Sequence, residues 1–205
     1  MRIHQFVSSF HTSNTFVVEL NNDQVALIDC CDTDLSPVVN WLLENRKVIQ
    51  VVFLTHEHAD HCAGVNTCED SFNFELICSQ SSANNIRNSK QNLSFYMDSI
   101  DTFEVQMKPT IISDEHIQVV NSQPFVFVET PGHSPGSACI IFGNAIFTGD
   151  TLLNGLKTPL TFPHSNRKLY SDSVQKLLKW LKPGMIIYPG HGEPFVFNSI
   201  RELTL

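Results

Sequence analysis

Apolar residues fall into short runs along the first half of the chain, and most of these runs have the length of a β-strand. Residues 15–20 and 24–30 are two such runs separated by three polar residues, a spacing typical of a β-hairpin. Continuous apolar runs at 49–55 and 74–79 predict buried strands. This half of the chain therefore predicts a sheet whose strands lie largely inside the protein.

Helical spacing occurs at two places, and further strand-like runs fill the second half. Asp34 opens a stretch with apolar residues at helical spacing, and we expect it to cap a helix with Pro37 in the first turn. An amphipathic helix is predicted at 171–181, after a polar loop at 154–170. The remaining strands are predicted at 116–120, 125–130, 137–143, 145–150 and 185–190.

The order of these elements favours a mixed sheet system covered by helices over a doubly wound parallel sheet, because several strands are linked as hairpins. Residues 80–115 are polar and rich in serine and asparagine, and we expect them to form an insertion of loops and helices that serves as a substrate loop. The length of 205 residues predicts a single domain over residues 1–205.

Composition narrows the class of partner. The formal net charge of −8 argues against nucleic acid as a partner. No apolar run approaches the length of about 20 residues that a membrane helix needs, and the N-terminus lacks a signal-peptide pattern, so we expect a soluble, cytoplasmic protein acting on a small molecule. The six cysteines are scattered without a CxxC motif, which favours reduced, buried thiols.

One short segment concentrates potential metal ligands. The motif LTHEHADH at 54–61 contains His56, His58, Asp60 and His61, directly after a predicted buried strand. Clustered imidazoles and carboxylates at this spacing indicate a metal or catalytic site.

Three further strand ends carry the same residue types. The segments 125–134 and 185–193 each run from an apolar strand into Pro-Gly-His and so deliver His133 and His191, while Asp150 follows a strand and a glycine. Seven protein ligands exceed what one tetrahedral zinc can use. The pattern therefore favours two metals, with a carboxylate bridging them and a water or hydroxide between.

These motifs, LTHEHADH, TPGHSPGS, TGDTL and YPGHGEP in this order, resemble the metallo-β-lactamase superfamily and, within it, the glyoxalase II-like thioester hydrolases. The resemblance implies an α+β fold, an αββα sandwich of two mixed β-sheets flanked by helices, with the metals at one edge. By motif position it implies His56, His58 and His133 at the first metal, Asp60, His61 and His191 at the second, and Asp150 bridging both.

Asp29 matches a family aspartate near the site and is expected to orient a ligand. The family usually has a glycine soon after this aspartate, whereas this chain reads DCCDTD. Only 14 residues follow His191, so we expect the helical domain with which glyoxalase II holds glutathione to be missing. Classical zinc β-lactamases of the commonest type carry cysteine at the position of Asp150. Together with the expected cytoplasmic location, this difference disfavours antibiotic hydrolysis.

The leading hypothesis is a binuclear hydrolase of a small thioester or ester, with hydroxyacylglutathione as a possible substrate and a metal-bridging hydroxide as the attacking group. Asp60, His61 and Asp150 would be catalytic. Zinc is the expected metal, with iron or manganese as alternatives. Arg167 and Lys168 are either solvated charges or anchors for an anionic substrate.

Other hypotheses remain open. His164 either lines a pocket or lies in a surface loop. A mono-iron persulfide dioxygenase would use two histidines and an aspartate, and a phosphodiesterase or nuclease would use the same two-metal chemistry. A non-catalytic metal sensor is the third alternative.

Overall fold

The computed structural model describes residues 1–9 and 11–205. They form a sandwich of two six-stranded sheets with helices on the outer faces, which confirms the predicted αββα architecture. The first sheet contains, in spatial order, β1 (Ile3–Val7), β2 (Asn14–Glu19), β3 (Gln24–Ile28), β4 (Val48–Phe53), β5 (Glu75–Cys78) and β6 (Thr110–Ile111). The second contains β7 (His116–Val120), β8 (Gln123–Glu129), β9 (Ala138–Phe142), β10 (Ala145–Gly149), β11 (Ile186–Pro189) and β12 (Phe195–Val196).

Both sheets are mixed. In the first, β1, β2 and β3 pair antiparallel, and β3 to β6 run parallel to one another. In the second, all neighbours are antiparallel except β10 and β11, which are parallel. The helices are α1 (Ser36–Glu44), α2 (Ala59–Cys62), α3 (Val65–Ser71), α4 (Gln80–Asn85) and α5 (Arg167–Leu177).

Three apolar layers hold the sandwich together. Between the sheets, Phe53 on β4 packs against Phe125 on β8 with ring centroids 5.0 Å apart, and Phe125 stacks on Phe142 at 4.3 Å. The outer face of the first sheet packs against α1, α3 and α4, and that of the second against α5. Burial of both faces explains the continuous apolar runs of the central strands.

Several elements differ from the sequence-based predictions. The predicted helix at 171–181 begins at Arg167 instead, because the Asn166 side chain accepts hydrogen bonds from the Lys168 and Leu169 N–H groups and caps it. The N-cap position of α1 is Leu35 and not Asp34, although the Asp34 carboxylate accepts from a backbone N–H of the first turn. The sequence also gave no indication of β1, β6, β12, α2 or α3.

Residues 80–115 are integrated into the fold. They contain α4, a 3-10 turn at Ser94–Tyr96 and β6. The Ala59 N–H donates to the Asn92 carbonyl at 2.7 Å, and Val105 is buried in the core beneath the first sheet. The segment is therefore fixed to the beginning of α2.

Backbone hydrogen bonds tie the two sheets together at one edge. The Ala138 N–H donates to the Thr55 carbonyl at 2.7 Å, and the Asn14 N–H donates to the Gly190 carbonyl at 2.7 Å. The first bond joins the beginning of β9 to the segment after β4, and the second joins the beginning of β2 to the segment after β11. The segments that follow β4 and β11 therefore lie at the edge where the two sheets meet. None of the helices in the described residues combines the length and the apolar character needed to cross a bilayer.

Candidate metal centre

The structure brings the seven ligand-type side chains from four chain segments to one edge of the sandwich. They form three groups of three residues. Within each group, one potential ligand atom from each residue lies within 4.8 Å of the other two. The groups are His56, His58 and His133, then His56, His61 and Asp150, and finally Asp60, His61 and His191.

Asp150 lies between the histidines of both ends of the cluster. Its Oδ1 is 3.5 Å from His61 Nε2, and its Oδ2 is 3.5 Å from His133 Nε2 and 3.6 Å from His191 Nε2. Gly190 permits this approach, because a Cβ there would overlap Asp150 Oδ1. One carboxylate thus faces both groups of imidazoles.

Three atoms of the cluster have no hydrogen-bond partner among the described residues, although they are buried: His56 Nε2, His61 Nε2 and Asp150 Oδ1. An unsatisfied buried polar atom costs about 1–3 kcal/mol, and an ion is one of its accepted explanations. Imidazole and carboxylate donors suit zinc, iron or manganese. The residues present therefore fit a divalent metal.

Hydrogen bonds at Nδ1 of three histidines determine which nitrogen of each ring can face a metal. His61 Nδ1 donates to Asp29 Oδ2 at 2.8 Å, and His133 Nδ1 donates to the Pro159 carbonyl at 2.9 Å. Thr55 Oγ1 already donates to Asp29, so it accepts from His56 Nδ1 at 3.0 Å. In each ring the other nitrogen, Nε2, faces the cluster, and that of His133 lies 3.0 Å from His58 Nδ1, from which it accepts a hydrogen bond.

Asp29 lies behind the site and contacts its residues. It shortly precedes the position at which the family usually has a glycine, which this chain lacks. Its own φ is +61°, a left-handed conformation that aspartate tolerates better than most residues. Its Oδ1 accepts from the Thr55 N–H at 2.7 Å, and its N–H donates to the Phe53 carbonyl at 2.8 Å. The aspartate thus forms the turn itself.

A second buried carboxylate, Glu57, supports the side of the cluster that carries His133, a role that the sequence alone did not predict. Its only described side-chain partners are neutral: the hydroxyls of Ser82 and Ser134, the Asn85 amide and the Gly136 N–H, at 2.8–3.3 Å. Through them it joins the histidine segment to the turn that carries His133. Its place between two histidines of the HxHxDH motif is the only sequence signal.

The pKa values of two neighbouring histidines in the cluster are shifted in opposite directions. Burial, with the neighbouring His61, lowers the pKa of His56 well below its usual value. Burial would also lower the pKa of His61, but the Asp60 and Asp29 carboxylates outweigh it and hold that pKa well above the usual value. A divalent cation would displace the His61 proton, so metal binding should weaken in acid.

A cleft of about 540 Å³ opens onto the cluster. Its other walls are largely apolar, and Lys157 is the single Lys or Arg in its lining among the residues that the structure describes. The apolar walls include Leu93, Met97, Leu153, Leu156 and Phe162. His11, which the sequence offered no reason to single out, also lines the cleft.

The three residues considered for substrate binding lie elsewhere. Within residues 1–9 and 11–205, the lining of the cleft does not include His164, Arg167 or Lys168. His164 is exposed in the loop before α5, and Arg167 and Lys168 are exposed in its first turn. Their role in substrate binding stays a prediction.

Residues 9–191 match the model of the metallo-beta-lactamase superfamily. The probable polyketide biosynthesis zinc-dependent hydrolase PksB of Bacillus subtilis strain 168 is 26% identical over 182 residues, or 88% of this chain and 73% of PksB. A hydroxyacylglutathione hydrolase of Citrobacter koseri is 24% identical over 73% of this chain; the match spans about half (51%) of that enzyme.

Solved structures share the fold. BLEG-1, a B3 metallo-beta-lactamase, superposes with a TM-score of 0.88 at 20% identity and covers 95% of this chain and 94% of its own. TTHA1623, solved in a di-iron-bound form, has a TM-score of 0.82 at 20% identity over 94% of both chains. At these identities the likeness establishes the αββα fold alone.

The contacts of Asp29 generate a first prediction. In Asp29→Asn, the amide no longer offers both oxygens as acceptors to His61 and Thr55, so the His61 ring loses its fixed tautomer. We expect the affinity for zinc, measured by competition with a chromophoric chelator, to fall about 10–100-fold. Asp70→Asn, at an exposed position of α3, is the matched control. Equal affinity in Asp29→Asn and the parent would refute the assigned role.

The environment of Glu57 generates a second prediction. In Glu57→Gln, an NH₂ group replaces one of the two carboxylate oxygens, both of which accept hydrogen bonds. At least one buried donor that now bonds to Glu57 therefore loses its acceptor. We expect urea denaturation of the metal-free protein to show a loss of about 1–3 kcal/mol in the free energy of unfolding, accompanied by weaker zinc binding. Glu75→Gln on the exposed side of β5 should change neither value. A Glu57→Gln protein with parental stability and affinity would contradict this account.

Proposed function

The chain belongs to the metallo-beta-lactamase superfamily, and on this premise we propose that it is a metal-dependent hydrolase of a small thioester or ester that uses two divalent cations. Zinc is the proposed metal, in line with the name of its relative PksB. Iron is the alternative, since a protein of the same fold was solved with two irons.

The observation that carries the proposal is the cluster of seven donors, three of whose buried atoms have no hydrogen-bond partner in residues 1–9 and 11–205. His56, His58 and His133 would hold one cation, and Asp60, His61 and His191 the other, with Asp150 shared. When bound, such a pair supplies Lewis acidity, which makes hydroxide available from water near neutral pH and polarises a carbonyl group.

The side chains of the cleft define what the protein itself contributes. No serine or cysteine lines the cleft among the described residues, so water is the proposed nucleophile. In the overall reaction a water adds to the acyl carbon, and the C–S bond of a thioester or the C–O bond of an ester breaks. The products are a carboxylate, one proton and either a thiol or an alcohol. Asp60 lines the cleft, with its Oδ2 3.3 Å from His191 Nε2, and would orient that water.

Lys157 is the proposed anchor for an anionic part of the substrate. It lines the cleft together with Leu156 and His191 and is exposed. Natural thiol carriers such as glutathione bear carboxylates, which an ammonium group at the mouth of the cleft can attract. This makes Lys157 a better candidate than Lys168, which is absent from the lining of the cleft in the described residues.

Two alternatives are less well supported. A single iron held by two histidines and an aspartate would leave the other donors of the cluster without a purpose. A phosphodiester suits the same pair of metal ions. However, the net charge of −8 and the presence of only one basic side chain, Lys157, in the described lining of the cleft favour a smaller, less charged substrate.

The proposed reaction is tested with protein reconstituted with zinc and shown by elemental analysis to hold two ions per chain. We expect it to hydrolyse S-lactoylglutathione or a simple acyl thioester faster than bis-p-nitrophenyl phosphate or nitrocefin. Asp150→Ala should lower kcat/KM at least about 100-fold, as expected for loss of a group that positions the reacting atoms. If protein holding two ions turns over none of these substrates, the proposal fails.

The anchor is tested separately. Lys157→Met should raise KM for a glutathione thioester about fivefold with kcat little changed, because an exposed ion pair contributes up to about 1 kcal/mol. Lys179→Met, on the surface beyond α5, is the control. The same exchange at Lys168 discriminates between the two hypotheses: a higher KM there, with none in Lys157→Met, would assign the anchor to α5.

A further inference from the structure

An apolar groove extends the cleft beside the candidate metal centre. We call it the annex groove; it is lined by Leu93, Tyr96, Met97, Phe162 and Pro163 and has a volume of about 170 Å³. Leu93, Met97 and Phe162 line both the groove and the cleft. The two spaces are therefore continuous, and one ligand can occupy both.

The groove begins directly at the histidines. The Phe162 ring lies 5.4 Å from the His58 ring and 5.7 Å from the His133 ring, measured between centroids. A molecule with its reacting carbonyl at the donor cluster therefore has its neighbouring atoms at the entrance of the groove.

The chemistry of the groove selects apolar groups. None of its lining side chains in the described residues is charged, and Lys157 lines the cleft but not the groove. Phe162 is 40% exposed and Tyr96 is 62% exposed. Covering this surface with an apolar group is favourable in proportion to the area removed from water.

The first wall of the groove is held in a strained conformation. Leu93 has φ +70°, a rare and costly backbone conformation for a bulky side chain. The buried Asn92 maintains it: its carbonyl accepts from the Ala59 N–H at 2.7 Å, and its side-chain oxygen accepts from the Ser94 N–H at 2.8 Å. This wall is thus attached to α2, which carries Asp60 and His61.

The second wall is attached to the turn that carries His133. The Ser165 hydroxyl donates to the His133 carbonyl at 2.7 Å, and the Asn166 N–H donates to the Gly132 carbonyl at 2.7 Å. Both walls are therefore fixed to ligand-bearing segments, and the groove is formed before any substrate arrives.

We propose that the annex groove binds the acyl group of the substrate and selects apolar acyl groups of about six carbons, or a single aromatic ring, over short or hydroxylated ones. An apolar cavity of about 150 Å³ accommodates benzene, which sets this size. We assign the acyl group of the substrate to the groove, and not the thiol group, because common thiol carriers contain amide and carboxylate groups. The groove offers no charged side chain in its described lining to bind such groups. This inference rests on the proposed function, since it names the substrate class for the same site.

Binding in the groove is tested without catalysis. The chain has four methionines, Met1, Met97, Met107 and Met185, of which Met97 lines the groove. With ¹³C-methyl-methionine and zinc-loaded protein, hexanoate should shift the Met97 resonance and saturate at a concentration at least about tenfold below that of acetate. The resonance of Met185, which is 4% exposed, should not move. Equal binding of acetate and hexanoate, or no shift of Met97, would overturn the inference.

Selectivity is tested with acyl thioesters of one thiol. From acetyl to hexanoyl, kcat/KM should rise by roughly twofold to fourfold for each methylene. Tyr96→Ala should reduce this rise, whereas Phe95→Ala, at a neighbouring exposed aromatic outside the groove, should preserve it. Hydrolysis without chain-length preference would overturn the groove and leave the hydrolase. A Met97 shift with hexanoate but no hydrolysis would support the groove and remove the hydrolase.

Discussion

Buried imidazole and carboxylate atoms that face one another need a bound cation or a proton to balance them, and this constraint organises this edge of the sandwich. His56 and His61 each direct toward the cluster a buried nitrogen that has no hydrogen-bond partner in the described part of the chain, and Asp150 directs an oxygen of the same kind. The strands that deliver these groups come from both sheets. Because the sheets are joined there by backbone hydrogen bonds such as the one from Ala138 to Thr55, the donors are held together by the core and not by the loops alone.

Two buried carboxylates that do not face the cluster support it from opposite sides. Asp29 accepts from His61 and Thr55 and so determines which nitrogen of the ring is available. Glu57 accepts only from neutral groups among the described residues and joins the histidine segment to the turn that carries His133. Such supporting contacts are what keep metal ligands in place. The apolar walls of the cleft are attached to the same segments, so support of the ligands and shape of the cleft are coupled.

Much of this could be predicted from the sequence, for definite physical reasons. Strands buried on both faces have continuous apolar runs, and histidines clustered after them are rarely structural. β1 was missed because its side chains are only partly buried and its sequence mixes polar and apolar residues. β6 and β12 have two residues each, too short for any periodicity. The start of α5 depends on the cap at Asn166, whose polar neighbours resemble a loop. The annex groove and the contacts of Glu57 join distant segments, so no local pattern could indicate them.

The account depends on the donors binding a pair of cations rather than one. Crystals of the zinc-loaded protein, with anomalous data collected on either side of the zinc edge, test this most directly. Two anomalous peaks about 3.5–4 Å apart are expected, one contacting His58 and His133, the other His191, with Asp150 contacting both. A single peak at full zinc occupancy, or two peaks remote from Asp150, would contradict the account.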